Sequence, residues 1–241
     1  MKVYVISLAN SHERRERISN ILNSMGINFR FFDAVNGREG LPSDLVGLPD
    51  DTHRKIFRSR PLSPGEKGCY ASHYRLWQKC VELGEAIVVI EDDCLPTDFM
   101  TGAIPTLQKL HQNGYEYIRL EHQKGKATLL EEVDGMQTVF WHNNLVGTRG
   151  YSISPNGAKK LLAKSERWLC AVDNFIGESY RTKLKCTGLI PYIVLDPNDM
   201  ETTIQIGENE KTPLYFKVTR ELYRFYRYVR LTSWNSLNNR L

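Results

Sequence analysis

The stretch Ala86-Ile-Val-Val-Ile-Glu-Asp-Asp93 decides the fold of this 241-residue chain, because an apolar run leads directly into three acidic residues. A short run rich in Val and Ile, bounded by Gly84 and Pro96, is typical of a strand buried on both faces of a parallel sheet. Open α/β sheets bind ligands outside the carboxyl ends of their strands. Carboxylates suit Mg²⁺ or Mn²⁺ bridging to a diphosphate. The run therefore predicts a metal–diphosphate site, with a solvated acidic turn as the other interpretation.

The composition of the chain is that of a soluble globular protein. Hydrophobic residues make up 41% of the chain and aromatic residues 10%, as in soluble globular proteins. Five cysteines without CxxC spacing favour a reduced setting over a disulfide framework or a zinc site. The strand pattern begins at Lys2, and no run approaches the roughly 18 apolar residues of a spanning helix. We therefore expect a cytoplasmic protein without a signal peptide.

The N-terminal segment has a β-α-β pattern. A strand over Val3–Leu8 is followed by a helix with apolar residues at helical spacing and by a second strand over Ile27–Asp33. This order requires a right-handed crossover and parallel strands. Arg14 and Arg15 open the helix, where a phosphate would be stabilised, although two arginines in a surface helix are more often only solvated. Neither GxGxxG nor GxxxxGK[ST] is present, which argues against dinucleotide and P-loop functions.

The next segment, residues 36–61, shows no sustained period and is predicted to be a long irregular connection. A helix is predicted to follow, because Ser63 and Glu66 form a capping box with Pro64 at the first helical position. His73 in this helix is either a ligand-contacting residue or a hydrogen-bonded core histidine.

Four motifs in order resemble the bacterial lipooligosaccharide glycosyltransferases of family 25. They are Val5-Ile-Ser-Leu8 with Arg14-Arg15, Phe32-Asp-Ala-Val-Asn-Gly37, Leu62-Ser-Pro-Gly-Glu-Lys-Gly-Cys-Tyr-Ala-Ser-His73 with Leu76-Trp77, and Val89-Ile-Glu-Asp-Asp93. The resemblance continues through Gly147–Leu162 and Val172–Phe175, and so covers about residues 1 to 200. It implies an α/β fold of the GT-A nucleotide-binding type, with a mostly parallel central sheet flanked by helices. It also implies a UDP-galactose or UDP-glucose donor, inversion at the anomeric carbon and a lipooligosaccharide acceptor.

The resemblance also implies the site residues. Glu91-Asp92-Asp93 looks like the DxD element of GT-A enzymes, and the period of two places Glu91 and Asp93 on one side of the strand and Asp92 on the other. Asp93, with Glu91, is the expected ligand of Mn²⁺ or Mg²⁺, which would stabilise the departing diphosphate. The expected nucleotide-sugar-binding residues are Ser7, Leu8, Arg14, Arg15, Asp33, Ala34, Ser72, His73, Glu91 and Asp92.

Inverting transfer requires a base that deprotonates the acceptor hydroxyl. Asp173 matches an acidic position in the family pattern and is our first candidate, although an Asp at a helix start is also a good N-cap. Glu121, which follows a predicted strand over Tyr115–Leu120, is the second candidate. Asp196 or Asp199 would complete the metal shell.

The remaining pattern predicts further elements after the acidic run. They are a helix over Asp98–His111, a hairpin strand within Leu145–Ser154, a helix beginning at Ser154-Pro155, a helix over Phe175–Leu184 and a strand over Thr187–Leu195.

The C-terminal tail carries the basic excess of the chain. From Lys211 onward seven basic residues face one acidic residue, which gives +6 against −2 for the rest of the chain. Apolar residues at helical spacing, namely Val218, Leu222, Phe225 and Val229, predict an amphipathic helix over Tyr215–Trp234. Such a helix fits an anionic membrane surface, and a helix packed on the domain is the alternative. Nucleic acid is disfavoured because no recognition motif accompanies the charges. We expect a catalytic domain over residues 1–210 and a helical segment over 211–241.

Two functional hypotheses result. The first is a metal-dependent inverting glycosyltransferase, with galactose favoured over glucose, that acts on lipooligosaccharide at the inner face of the cytoplasmic membrane. The second is a non-catalytic, membrane-associated protein of the same fold that binds a nucleotide or a glycan. A metal-dependent phosphohydrolase is a weaker alternative.

Overall fold

The apolar-to-acidic stretch at residues 86–93 contains one inner strand of an eight-stranded sheet. The computed structural model describes residues 1–196 and 213–239. The strands are β1 (Lys2–Ser7), β2 (Phe29–Asp33), β3 (Ile87–Glu91), β4 (Leu95–Pro96), β5 (Tyr117–Arg119), β6 (Ala127–Val133), β7 (Met136–Trp141), β8 (Gly150–Ile153), β9 (Thr187–Ile190) and β10 (Val194–Leu195). The main sheet has the order β2-β1-β3-β8-β5-β9-β7-β6, and β4 pairs separately with β10.

The sheet is mixed, so the expectation of a mostly parallel sheet is wrong. Strands β2, β1 and β3 are parallel, as the β-α-β pattern predicts, but β8 runs antiparallel to both of its neighbours. The hairpin lies at β6 and β7, not within 145–154, and β8 pairs with β3 and β5 instead. The hairpin turn is Asp134-Gly135, in which both residues have positive φ, 53° and 76°. Asp-Gly is a strong hairpin signal.

Helices cover both faces of the sheet. They are α1 (His12–Ser24), α2 (Asp51–Arg58), α3 (Pro64–Leu83), α4 (Met100–Gln112), α5 (Pro155–Ala163), α6 (Val172–Gly177), α7 (Ser179–Thr182) and α8 (Leu214–Asn238). Alternate residues of β1 enter two cores: Val3 and Val5 pack with α1 and α4, whereas Tyr4 and Ile6 pack with α3 and α5. Strand β1 is therefore buried on both faces, which explains its continuous apolar sequence.

Three predicted elements differ from the structure. The predicted irregular connection 36–61 contains α2, whose N-cap Asp50 accepts a hydrogen bond from the backbone of His53. Its buried face carries arginine, a residue that sequence patterns assign to the surface. The predicted helix 175–184 is the pair α6 and α7, and the predicted strand 187–195 is split into β9 and β10 around Pro191, which cannot donate to a strand ladder.

The start of α3 confirms the predicted capping box. The backbone N–H of Glu66 donates to Ser63 Oγ at 3.1 Å, and the N–H of Ser63 donates to Glu66 Oε2 at 2.7 Å. One turn further, Gly68 allows close approach of another segment, because a Cβ there would lie 2.5 Å from the carbonyl oxygen of Val35. The loop after β2 is therefore held against the beginning of α3.

Helix α8 packs on the domain along one face and exposes another. Tyr223 packs against Phe57 of α2 with ring centroids 5.1 Å apart, and Arg227 Nε lies 2.7 Å from Glu178 Oε1. The predicted stripe of Val218, Leu222, Phe225 and Val229 is on the exposed face. The interpretation of a helix packed on the domain is thus confirmed for one face, and membrane binding by the exposed face stays a prediction. Within the described ranges, no helix has the length and hydropathy needed to cross a membrane. The expected domain boundary at 210 lies outside the described residues.

Candidate active site

A cleft opens at the carboxyl ends of β1 and β3, as the position of the acidic run predicts. Its volume is about 260 Å³, and it lies between the end of β1, the loop 34–38 and the first turns of α3. The predicted residues that line it are Ser7, Leu8, Arg14, Ala34, Ser72, His73, Glu91, Asp92 and Asp93. Arg15 and Asp33 do not line it but form an ion pair with each other at its border.

Asp92 faces β1 and α1. Its Oδ2 accepts a hydrogen bond from Ser7 Oγ at 2.6 Å, and its Oδ1 lies 3.5 Å from Arg14 Nη1. Burial raises the pKa of Asp92, and the Ser7 hydrogen bond and the Arg14 charge oppose that shift. Arg15 donates to the backbone oxygen of Ser7 at 2.9 Å. Asp92 is therefore engaged in joining β1 to α1 at the floor of the cleft.

Glu91 faces the opposite side and ends a buried hydrogen-bond chain. Trp77 Nε1 can only donate, so it donates to Tyr151 Oη at 3.0 Å, and the Tyr151 hydroxyl donates to His73 Nδ1 at 2.9 Å. His73 Nε2 is then the donor to Glu91 Oε1 at 3.2 Å. Thr148 also donates to this oxygen at 2.6 Å. Burial raises the pKa of Glu91, but these hydrogen bonds outweigh burial and hold the pKa below its usual range.

Asp93 offers an oxygen that the protein does not satisfy. Its Oδ1 is buried and has no hydrogen-bond partner among the described residues, and Arg149 Nε lies 3.9 Å away. Burial, together with the charge of Glu91, raises the pKa of Asp93 to about 6. An unsatisfied buried carboxylate oxygen is costly in isolation. It therefore fits a hard divalent cation.

A second group could also hold an ion. Ligand atoms of Cys69, His73 and Glu91 lie within 4.8 Å of one another. Burial raises the pKa of the Cys69 thiol well above its usual value, so the thiolate that a metal requires is disfavoured. His73 Nε2 is occupied by Glu91. Asp93 is thus the better-suited ligand for Mg²⁺ or Mn²⁺, which prefer oxygen.

Arg149 is the cation among these carboxylates, and sequence reasoning missed it. Its guanidinium nitrogens lie 3.9 Å from Asp93, 3.9 Å from Glu121 and 3.2 Å from Asp196. It directly precedes β8, which pairs with β3. The repulsion among three adjacent carboxylates was the signal that a cation was required, but it did not identify which one. Asp196 is brought to this cluster, whereas Asp199 lies outside the described residues.

Glu121 lies buried beside the backbone of Gly147. Arg119 Nη2 donates to Glu121 Oε1 at 2.6 Å, and burial raises the pKa of Glu121 to about 7. Gly147 has φ of +83°, and a Cβ there would lie 2.6 Å from Glu121 Oε2. Only glycine permits this approach. His122, the neighbouring residue, packs edge-to-face on Tyr192 with centroids 4.5 Å apart.

Asp173 lies in the first turn of α6, on the other side of Gly147. The N-cap of α6 is Ala171, so the alternative interpretation of Asp173 as the N-cap is wrong. Its Oδ2 accepts a hydrogen bond from the N–H of Gly147 at 3.4 Å, and its Oδ1 accepts from the backbone N–H of Asn174 at 2.6 Å. Gly147 thus contacts both candidate bases, although 52 residues separate them in sequence.

Comparisons with known proteins identify the family of this chain. The family model of glycosyltransferase family 25 (LPS biosynthesis protein) matches residues 1–176. A procollagen galactosyltransferase 1-A of Xenopus laevis is 32% identical over 192 residues, which cover 74% of this chain and 31% of the relative. An inactive glycosyltransferase 25 family member 3 of Homo sapiens is 32% identical over 189 residues, 73% of this chain and 31% of the relative. The chain thus spans about a third of the length of these relatives.

A solved glycosyltransferase involved in glycosylation of the major capsid of PBCV-1 is 11% identical, with a TM-score of 0.35 over 67% of this chain and 64% of that one. The family match covers the first β-α-β unit, the cleft and the segments that carry Glu91, Glu121, Arg149 and Asp173. By this match, the chain belongs to glycosyltransferase family 25.

Proposed function

We propose that this protein is an inverting glycosyltransferase of the GT-A type that moves a hexose from a UDP-sugar to a lipooligosaccharide glycan. Galactose is favoured over glucose, in keeping with the name of the Xenopus relative. The observation that carries the proposal is the convergence of Asp93, Glu121 and Asp196 on Arg149, beside a cleft lined by the expected donor-binding residues.

The proposed reaction uses these groups as follows. The acceptor hydroxyl gives its proton to Asp173, our first candidate base, while its oxygen attacks the anomeric carbon and the bond to the UDP oxygen breaks. Glu121 remains the second candidate, since a pKa of about 7 suits proton transfer near neutral pH. Arg149 lies beside Asp93 and would stabilise the charge that develops on the departing diphosphate.

Asp93, with Glu91 beside it, would hold Mn²⁺ or Mg²⁺. The unsatisfied Oδ1 of Asp93 supports this assignment. A bound divalent ion supplies Lewis-acid stabilisation of the diphosphate. Asp92, Ser7 and Arg14 would face the nucleotide-sugar from the floor of the cleft.

The C-terminal segment suggests where in the cell the protein acts. We propose that residues 1–210 form the catalytic domain and that the 211–241 segment binds the anionic inner face of the cytoplasmic membrane, where a lipid-linked acceptor is found. The exposed stripe on α8 supports this. Of the basic residues on the helix, Arg227 is engaged with Glu178 in the protein interior, so the remaining ones would meet the lipid charges.

Donor binding and turnover test the proposal. UDP-galactose and UDP-glucose should each be titrated by calorimetry with and without Mn²⁺, and UDP release should be measured with a lipooligosaccharide acceptor. We expect Mn²⁺-dependent binding of one donor, and a loss of transfer of at least about 100-fold in Asp93→Asn. Asp98→Asn, at an exposed carboxylate nearby, is the matched control. Full transfer by Asp93→Asn would contradict the metal assignment.

The non-catalytic alternative has a distinct outcome. One relative of similar identity is named as inactive, so donor binding without UDP release on any acceptor or water would identify this chain as a binding protein.

A further inference from the structure

A second open groove lies between α8 and the loop 142–146. Its volume is about 580 Å³, which is within the range of roughly 300–1,000 Å³ typical of small-molecule sites. The loop contributes His142, Asn143 and Leu145, and α8 contributes the facing wall. Asn235 of α8 donates to the carbonyl oxygen of His142 at 2.7 Å, which fixes the helix against one end of the loop.

Two aromatic rings are exposed on the α8 wall of this groove. Phe225 is 67% exposed and Tyr228 is 68% exposed. Polar groups accompany them, among which Arg224 is paired with Glu221 at 2.9 Å. A flat aromatic face packs against the apolar face of a hexose ring, and nearby amide, carboxylate and guanidinium groups can hydrogen bond to its hydroxyls.

The loop that forms one wall of the groove also contacts the candidate base. The carbonyl oxygen of Leu145, in the groove wall, accepts a hydrogen bond from Asn174 Nδ2 at 3.0 Å. The N–H of Gly147, two residues along the same loop, donates to Asp173 Oδ2. A glycan lying in the groove would therefore contact the loop that holds the candidate base, since Asn174 Nδ2 donates both to Leu145 and to Asp173 Oδ1.

The orientation of Asn174 is determined by its neighbours. Its Oδ1 accepts hydrogen bonds from Arg58 Nη1 at 2.9 Å and from Arg227 Nη2 at 3.0 Å. Its amide nitrogen must then face Leu145 and Asp173. The wall of the groove and the candidate base are thus held by one side chain.

We propose that this groove binds the sugar residues of the acceptor glycan next to the hydroxyl that is glycosylated. The inference rests on the proposed function for its catalytic meaning, but glycan binding can be measured without turnover. The exposed stripe of α8 is assigned to lipid above. Phe225 belongs to both surfaces, whereas Val218 and Leu222 of the stripe do not line the groove.

The test is saturation-transfer difference NMR with the lipid-free core oligosaccharide released from a bacterial lipooligosaccharide. Wild type should show sugar signals, and affinity should fall about tenfold in Tyr228→Ala and further in Phe225→Ala/Tyr228→Ala. Because both rings are exposed, these variants should keep the wild-type melting temperature. Val218→Ser/Leu222→Ser is the matched control and should bind the core as wild type does.

Several outcomes would overturn the groove assignment. Unchanged core binding in the double aromatic variant, or no core signal with wild type, would do so. A loss confined to the lipid-bearing acceptor would assign the rings to lipid instead. UDP release from UDP-galactose, measured with a lipooligosaccharide acceptor, separates the two proposals. Core binding by the groove without any UDP release contradicts the catalytic proposal alone, whereas transfer with an unchanged acceptor KM in the aromatic variants contradicts the groove alone.

Discussion

Gly147 is the residue on which the arrangement of the candidate bases most depends. Gly147→Ala should lower the free energy of unfolding by about 2–4 kcal/mol, because it adds a Cβ to a residue with φ of +83° and places it 2.6 Å from Glu121. We expect transfer to fall with it, since the loop must move away from Asp173. Chemical denaturation and UDP release measure the two effects.

Gly47 provides the control for this substitution. A Cβ at Gly47 would have no atom within 4 Å, and its φ is not positive. Gly47→Ala should change stability by less than about 0.5 kcal/mol and leave transfer unchanged. Equal effects of the two substitutions would show that the crowding at Gly147 has no functional role.

The acidic run was predictable from the sequence, whereas the arginine that lies among its carboxylates was not. The contacts of Asp92 separate it from Glu91 and Asp93, as the predicted alternation requires. Strand β3 ends at Glu91, however, so the following turn directs the side chains of Asp92 and Asp93. Arg149 lies 56 residues from Asp93. It reaches the site only because β8 pairs with β3, and antiparallel pairing between distant segments leaves no local sequence signal.

Among the elements, α8 contacts the catalytic region through Arg227. Arg227→Met removes a hydrogen bond to Asn174, which holds Asp173, so we expect UDP release to fall roughly 10- to 100-fold with donor KM unchanged. In this variant Glu178 still forms ion pairs with Arg58 and Arg181, so the free energy of unfolding should fall by only about 1–3 kcal/mol.

Two further variants define the role of this contact. Arg227→Lys should restore part of the rate because an ammonium can still donate to Asn174. Arg220→Met, on the same helix and paired with Glu221, should behave as wild type. A rate loss that follows melting temperature across the three variants would indicate a purely structural contact.

His111 at the end of α4 links stability to pH. Its ring nitrogens lie 2.7 Å from the carbonyl oxygen of Tyr115 and 2.7 Å from Ser152 Oγ, and burial lowers its pKa. Folding therefore favours the neutral ring. Its stabilising contribution is complete above the unfolded pKa of about 6.5 and is lost as the pH falls below that value.

The corresponding measurement is unfolding free energy at pH 7.5 and pH 5. His111→Gln should reduce the loss between these two conditions, because an amide can make both hydrogen bonds without titrating. His12→Gln, at an exposed position in α1, should keep the wild-type loss. An unaltered pH dependence in His111→Gln would contradict the assignment.

The elements themselves were predictable where local rules act. The capping box of α3 and the β-α-β start follow from side chains within one turn or one strand of each other. Helix α2 was missed because its buried residues Arg54 and Arg58 pair with Glu66 and Glu178, and those partners come from α3 and from the turn before α7. Charged residues are buried only when a partner is present, which sequence spacing does not show.

For the whole molecule, the exposed stripe of α8 predicts membrane association. Full-length protein should sediment with vesicles of phosphatidylglycerol and phosphatidylethanolamine, and Val218→Ser/Leu222→Ser should weaken binding about tenfold or more because it removes apolar area from the interface. Added salt should weaken wild-type binding if lipid charge contributes.

Tyr228→Ala is the control for this experiment and should sediment as wild type does, because we assign Tyr228 to the groove. Vesicle binding that is equal in the stripe variant and in wild type would contradict the membrane proposal.

The sequence by itself determined where the first parallel strands end, that three carboxylates lie at that edge, and that the tail is an amphipathic helix. These features depend on residues close together in the chain, so periodicity and capping rules suffice. The tertiary structure alone decided that the sheet is mixed, that Arg149 and Gly147 join Asp93, Glu121 and Asp173 in one site, and which face of α8 is buried. The reason is that strand pairing and burial of ion pairs depend on contacts between segments far apart in sequence, and their free energy has no local periodicity.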